Sequence, residues 1–282
     1  MWSRKVPVLV SAHRGGVGPA FELENTKTAF EHVVLSDCEY VEFDIQRTRD
    51  GVFLLNHDST VTTSTGTRPI SEMTAVEVDT CVGERVRLEQ VVKLLAVHGK
   101  KAHLDFKFVS PTGLPVNESW EVDAVRLVRQ HLADDAFIVT STEDMSVRHV
   151  RDWADTEHAH ILVGLSLGRH HLDGMSFLSR LMFRWREAFP ETRLQASRAN
   201  LVVAQRHLAR WRLLAWAHRH GLPVLVWTVD NPRELRQLMR DRRVWMVTSN
   251  YPDRALHARR HVVGDWLRDH RRPPDDHLSS LT

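Results

Sequence analysis

Apolar and polar positions alternate along this chain in two rhythms, and the rhythms predict its elements. Val8-Leu9-Val10-Ser11-Ala12 is a short apolar run that reads as a buried parallel strand, with His13 at its C-terminal end. In Tyr40-Val41-Glu42-Phe43-Asp44-Ile45 the period is two, so Val41, Phe43 and Ile45 share one face and Glu42 and Asp44 the other. Asp50-Gly51 marks a turn, after which residues 52–57 read as a further strand ending in His57. Residues 59–90 are rich in Thr, Ser and Gly and read as an irregular excursion with one short helical piece near 73–78. Regular alternation then resumes. Helices are predicted near 88–97, 121–132, 146–153, 208–220 and 232–240, and strands near 102–107, 136–140, 161–165, 200–203, 223–229 and 244–249.

Strand and helix in alternation imply a mostly parallel sheet with right-handed crossovers. About eight such units predict a closed TIM-type (β/α)8 barrel over residues 8–258. A small irregular insertion, 59–90, follows the second barrel strand, and a flexible tail is expected over 265–282.

Composition narrows the picture. A chain of 282 residues with 42% hydrophobic content suits one α/β barrel with a full core. A formal net charge of +2 gives no reason to expect a nucleic-acid partner. Six of the 38 basic residues are lysine, leaving 32 arginines, an imbalance read first as base-composition bias and only then as phosphate affinity. Of the 18 histidines, His218, His220, His257 and His261 fall in His/Arg-rich helical stretches and are expected at the surface. Cys38 and Cys81 do not make a disulfide framework, and a reducing, cytoplasmic setting is expected. Met1 to Pro7 carry no signal-peptide pattern, and no apolar run reaches the roughly 18 residues of a spanning helix.

The chemistry gathers at predicted strand ends, where barrel active sites lie. Glu42 and Asp44 would be costly facing an apolar interior unless a cation or a water-filled mouth sits there. Carboxylates in this arrangement suit a hard cation such as Mg²⁺ or Ca²⁺ and not structural zinc. Arg14 can grip a phosphate through two donors and Lys107 adds a point charge. His13 and His57 can trade a proton as base and acid, in an order the sequence leaves open. Gly15 and Gly16 read as room for backbone close to a ligand, Asn25-Thr26 as a helix cap, and Trp227 as either a substrate wall or barrel core.

The chain resembles the glycerophosphodiester phosphodiesterases. The matching pieces are Ala12-His13-Arg14-Gly15-Gly16, Glu24-Asn25-Thr26 with Ala29-Phe30, Val41 through Gly51, and His57-Asp58. They continue through Leu104-Asp105-Phe106-Lys107 and Trp227-Thr228-Val229 to the closing Val247 through Asp253. The resemblance implies a TIM barrel that uses a divalent cation to hydrolyse glycerophosphodiesters to glycerol 3-phosphate and an alcohol, an activity of lipid and glycerol metabolism. In the family scheme the glycerol 2-hydroxyl attacks first and water opens the resulting cyclic phosphate. Carried over, Glu42, Asp44 and Asp105 are metal ligands, and His13 and His57 the catalytic pair. Arg14, Lys107 and Trp227 are substrate-binding, and Glu24 is a supporting acid. Two positions depart from the pattern. Asp105 is one methylene shorter than the family's usual Glu, and Asn250 replaces a common Asp, a change expected to touch no metal ligand.

Two other classes stay open: a phospholipase D-type enzyme acting on lysophospholipids or sphingomyelin, and a non-catalytic phosphate-binding barrel. The Glu24-Asn25-Thr26 motif favours the first reading over the lipase, and the paired histidines favour it over the binder. Residues 175–189 carry Leu178, Leu181, Met182, Trp185 and Phe189 at helical spacing, with arginines nearby. They read as an outer barrel helix, with weak peripheral contact to anionic lipid as the alternative. The expected partner is a small-molecule glycerophosphodiester or lysolipid.

Overall fold

The computed structural model describes residues 7–64, 66–168 and 190–269; the segment 175–189 and the tail after Asp269 lie outside the described residues. The described strands are β1 (Leu9–Ala12), β2 (Tyr40–Arg47), β3 (Phe53–Leu55), β4 (Thr60–Thr63), β5 (Gly66–Pro69), β6 (Lys101–Phe106), β7 (Phe137–Ser141), β8 (Leu162–Leu167), β9 (Leu201–Gln205), β10 (Val224–Trp227) and β11 (Met246–Ser249). Eight of them close on themselves: β1, β11, β10, β9, β8, β7, β6 and β2 are neighbours in that order, and β2 pairs back to β1. Every one of these pairings is parallel. The fold is the expected TIM barrel.

The strand before His57 is not a barrel strand. β3 pairs antiparallel with β2, Ile45 opposite Leu55 and Arg47 opposite Phe53. The link through Asp50-Gly51 is too short for a parallel crossover, so the chain must fold back beside the strand it leaves. The 59–90 insertion is more regular than its composition suggested. It holds the β4–β5 hairpin and helix α2 (Ala75–Val82), which Thr74 and Glu77 start with a reciprocal capping box. Leu54, Val61, Ile70, Met73 and Val78 give the insertion its own small core.

Helices α1 (Lys27–Val33), α3 (Leu88–Val97), α4 (Trp120–Arg129), α5 (Asp144–Thr156), α6 (Glu191–Ala196), α7 (206–219), α8 (Pro232–Arg240) and α9 (Pro252–Asp269) cover the barrel's outside. α7 runs through a π turn at Ala209–Leu213. α9 continues past residue 265, where the tail was expected to begin. None of the described helices is long and apolar enough to cross a membrane.

The period of two sets the layering. Val41, Phe43 and Ile45 join the core between strands and helices. Inside the barrel a separate cluster of Tyr40, Ile138, Leu201, Val203, Leu225 and Met246 forms a plug. Most of these lie in the first or second position of their strands, so the N-terminal half of the interior is sealed with hydrocarbon. Polar side chains are left to the C-terminal half, and the site is built there.

Candidate active site

A cavity of about 650 Å³ opens at the C-terminal end of the barrel. His13, Arg14, Glu42, His57, Asp105 and Lys107 line it, with Trp227 on its wall. Two expected members do not line it. Asp44 is buried among Arg14, Lys107 and Asn25, and Glu24 stands behind Arg14.

Strand register brings the carboxylates together. Asp44 on β2 is the register partner of Asp105 on β6, and Glu42 lies two residues back on the same face of β2. Each of the three offers an oxygen within 4.8 Å of the others. Burial raises the Glu42 carboxyl well above its usual range, and the neighbouring Asp44 and Asp105 add to the rise. Asp44 moves the other way. Burial opposes its charge, but Lys107 and Arg14 outweigh burial and hold it below the usual range. Asp44 Oδ1 is buried with no hydrogen-bond partner; the Lys107 ammonium stands 3.1 Å away as a charge only. A cluster of hard oxygen donors, one of them a buried carboxylate oxygen that accepts no hydrogen bond, suits a divalent cation.

Arg14 is placed by the backbone. It follows β1 with a left-handed φ of 50°, and its N–H donates to Glu42 Oε2 at 2.7 Å. Its guanidinium donates to Glu24 Oε2 at 2.7 Å, and its Nε stands 2.8 Å from Asp44 Oδ2. Glu24 therefore supports the site by steering Arg14, not by joining the carboxylates. Lys107 follows β6 directly and pairs with both Asp44 and Asp105. Burial opposes its charge, yet Asp105 and Asp44 raise its pKa above the ordinary lysine value.

The two histidines differ in setting. His13 is inside the mouth, with Nδ1 2.6 Å from Asn250 Oδ1 and Nε2 3.9 Å from Glu42 Oε2. Burial lowers its pKa, and Arg14 lowers it further. His57 sits beyond β3 with a side chain 39% exposed, and its Nδ1 is 2.8 Å from Asp58 Oδ1.

Two sequence readings change. Gly15 and Gly16 make room for neighbouring elements, not for a ligand: a Cβ on Gly15 would meet Ala29 Cβ at 2.8 Å, and one on Gly16 would meet Pro252 Cγ at 2.7 Å. Thr26 alone caps α1, accepting from Ala29 N. Asn25 instead clasps Asp44, donating from Nδ2 to Oδ2 at 2.9 Å and accepting the Asp44 N–H at 3.2 Å. Asn250 touches no metal ligand, as expected, but it touches His13.

Sequence reasoning passed over four other groups. Asp230 holds Asn250 through its N–H at 2.9 Å and its Nδ2 at 2.8 Å. Ser11, His103 and Thr140 form a buried polar chain beside Asp105. A His flanked by Leu and Ala in the middle of a strand facing the same interior as Glu42 was the available signal for the last three.

The model of the glycerophosphoryl diester phosphodiesterase family matches residues 13–254. A glycerophosphodiester phosphodiesterase of Caldanaerobacter subterraneus is 22% identical over 244 residues, covering 82% of this chain and 90% of that relative. The mouse lysophospholipase D GDPD3 is 42% identical over 60 residues; that match takes in 21% of this chain and only 18% of the relative's length. The fold is similar to that of an Oleispira antarctica phosphodiesterase solved with sn-glycerol-3-phosphate, with a TM-score of 0.65, 17% identity, and coverage of 89% of this chain and 96% of the other.

Proposed function

Because this chain belongs to the glycerophosphoryl diester phosphodiesterase family, and is a phosphoric diester hydrolase, we propose that its barrel mouth cleaves glycerophosphodiesters to glycerol 3-phosphate and an alcohol with the help of a divalent cation. One observation carries the reading. Two histidines, two cationic side chains and two carboxylates, Glu42 and Asp105, line a single cavity at the barrel's C-terminal face, with Asp44 buried within 4.8 Å of both carboxylates.

Glu42, Asp44 and Asp105 would hold the cation, Mg²⁺ or Ca²⁺ by the hardness of the donors. When bound it would neutralise charge on the phosphodiester and help orient the attacking oxygen. Arg14 and Lys107 would bind the phosphate oxygens. Both are already held in place by carboxylates, so little ordering is needed when substrate arrives.

His13 would act as base. Its Nδ1 faces Asn250 Oδ1, so a neutral His13 carries its proton on Nδ1 and its lone pair on Nε2, toward the carboxylates. Nε2 would take the proton of the attacking hydroxyl, the glycerol 2-hydroxyl in the family scheme. His57, at the solvent side and beside Asp58, would give a proton to the leaving alcohol oxygen.

The test is release of glycerol 3-phosphate from glycerophosphocholine by purified protein in EDTA, then with Mg²⁺ or Ca²⁺ restored. Cation-dependent release is expected, and release unaffected by EDTA would overturn the role given to the carboxylates. His13→Ala and His57→Ala should each lower turnover by about 10² or more; unchanged turnover in both would remove the histidine pair from the mechanism. The local likeness to a lysophospholipase D favours a second substrate class. Turnover on lysophosphatidylcholine exceeding that on glycerophosphocholine would select it.

A further inference from the structure

His103 is a buried titratable group that the proposed mechanism does not use. It lies on β6, two residues before Asp105, and is 3% exposed. Its register partner on β2 is Glu42, and one layer above, Asp44, Asp105 and Thr140 form a row across β2, β6 and β7. Ser11 Oγ on β1 is 3.1 Å from His103 Nδ1, and His103 Nε2 is 3.1 Å from Thr140 Oγ1. Thr140 Oγ1 in turn reaches Asp105 Oδ1 at 2.8 Å and Leu104 O at 3.3 Å. Three strands thus contribute one hydrogen-bonded chain that ends on a candidate metal ligand.

The protons of this chain have only one consistent order. The Asp105 carboxylate and the Leu104 carbonyl can only accept, so the single Thr140 proton is committed to them. Thr140 must then accept from His103, which places the imidazole proton on Nε2. The Nδ1 lone pair accepts from the Ser11 hydroxyl. A neutral imidazole is required for that order.

We infer that Thr140, backed by His103 and Ser11, is the positioning device for the Asp105 carboxylate, and that it fixes this shorter ligand in the orientation the cation needs. The inference rests on the proposed cation role of Glu42, Asp44 and Asp105. An aspartate reaches less far than a glutamate and turns freely about its last torsion. At Asp105 both oxygens are engaged, Oδ1 by the Thr140 hydroxyl and Oδ2 by Lys107. The Lys107 contact is a point charge on a flexible stem. The Thr140 hydroxyl sits on a strand, on a β-branched side chain, with its proton already assigned. Groups that orient metal ligands from behind in this way typically change cation affinity by about 10- to 100-fold.

The experiment is calorimetric titration of the whole chain, stripped with EDTA and dialysed, with CaCl₂ and with MnCl₂, comparing wild type, Thr140→Val, Thr140→Ser and Ser11→Ala. Melting curves of each metal-free protein report whether it is folded. Thr140→Val keeps the shape and removes the hydroxyl, and its Kd should rise by about 10-fold or more. Thr140→Ser restores the hydroxyl and should return the Kd to within about threefold of wild type. Ser11→Ala frees His103 to carry its proton on Nδ1 and to accept from Thr140 instead. It should weaken binding by several-fold, and it keeps the inference testable if Thr140→Val does not fold. A wild-type Kd in folded Thr140→Val overturns the inference while leaving the cation site standing. Thr140→Ser as weak as Thr140→Val also overturns it, because the hydroxyl is then not the reason. Absence of cation binding to wild type overturns the cation reading and this inference with it.

Discussion

His13 Nδ1 and Asn250 Oδ1, 237 residues apart in sequence, meet at 2.6 Å, and a third residue decides which way the amide faces. Asp230 accepts the Asn250 backbone N–H, the Asn250 Nδ2 and the Ser249 hydroxyl, which leaves only the amide oxygen for the imidazole. An amide oxygen can only accept, so His13 presents an N–H on this side and its lone pair on the other. The departure at position 250 therefore has a local partner. A neutral amide beside His13 is kept in orientation by the carboxylate behind it.

Asn250→Leu should lower kcat about tenfold or more with little change in KM, since it misorients a proton-transfer group and not a binding group. Asn250→Asp sets two carboxylates at hydrogen-bond distance and should also lose activity. Adding Asp230→Asn restores a carboxylate–amide pair in reversed order and should recover most of it. Steady-state kinetics of the three variants decide the matter. A double variant no better than Asn250→Asp would refute the pairing.

The turn that carries Arg14 is held by close packing. Gly16 has φ +67° and a Cβ there would stand 2.7 Å from Pro252 Cγ and 3.1 Å from Ala12 Cβ. Gly16→Ala should cost about 1–3 kcal/mol, through backbone strain and the displaced proline. Gly99→Ala, also left-handed but with open space around it, should cost less than about 1 kcal/mol. Urea unfolding of both variants measures the difference. Equal costs would show that the Pro252 contact yields freely.

The parts of this site that were legible in the sequence are those set by one strand's own periodicity. Alternation in residues 40–45 puts Glu42 and Asp44 on the interior face whatever their neighbours, and the structure buries both there. The barrel followed from counting strand–helix units, because each local pattern repeats the same decision. What could not be read depends on register between strands distant in sequence. Ser11 meets His103 across 92 residues and His103 meets Thr140 across 37, and no local pattern encodes such a pairing. Asn25 misled because one residue type serves equally as a helix cap and as a clasp for a buried carboxylate. Gly15 and Gly16 misled for a similar reason. A positive φ identifies a turn, but only the packed structure shows whether ligand or helix occupies the space the missing side chain leaves.

Lys107 is the main positive charge on Asp44 and Asp105 in the metal-free protein. Adding Ca²⁺ or Mg²⁺ to the EDTA-treated protein should raise its Tm, by mass action alone about 2.7 kcal/mol when the ion is at 100 times its Kd. Asp44→Asn should abolish the rise. Lys107→Met should widen it, because the metal-free variant leaves buried carboxylates uncompensated while the loaded one does not. Thermal melts in EDTA and in saturating cation test all three. A rise that survives in Asp44→Asn would place the stabilising ion elsewhere.

His103 should make the metal-free protein sensitive to mild acid. Its pKa is lowered to about 4 in the folded chain by burial, against about 6.5 when exposed. Between these values the unfolded chain binds a proton that the folded chain does not, so stability rises with pH across this window and falls as pH drops through it. Above pH 6.5 both states are neutral at this residue and its contribution is flat. The full contribution across the window is on the order of 3 kcal/mol. Urea unfolding in EDTA at pH 7, 6 and 5 should show wild type losing stability more steeply than His103→Gln, which has nothing to titrate at this position. The remaining histidines are common to both proteins and cancel in the comparison. Parallel pH profiles would mean that the folded protein admits a proton to the Ser11–His103–Thr140 chain, and that its hydrogen-bond order is not fixed.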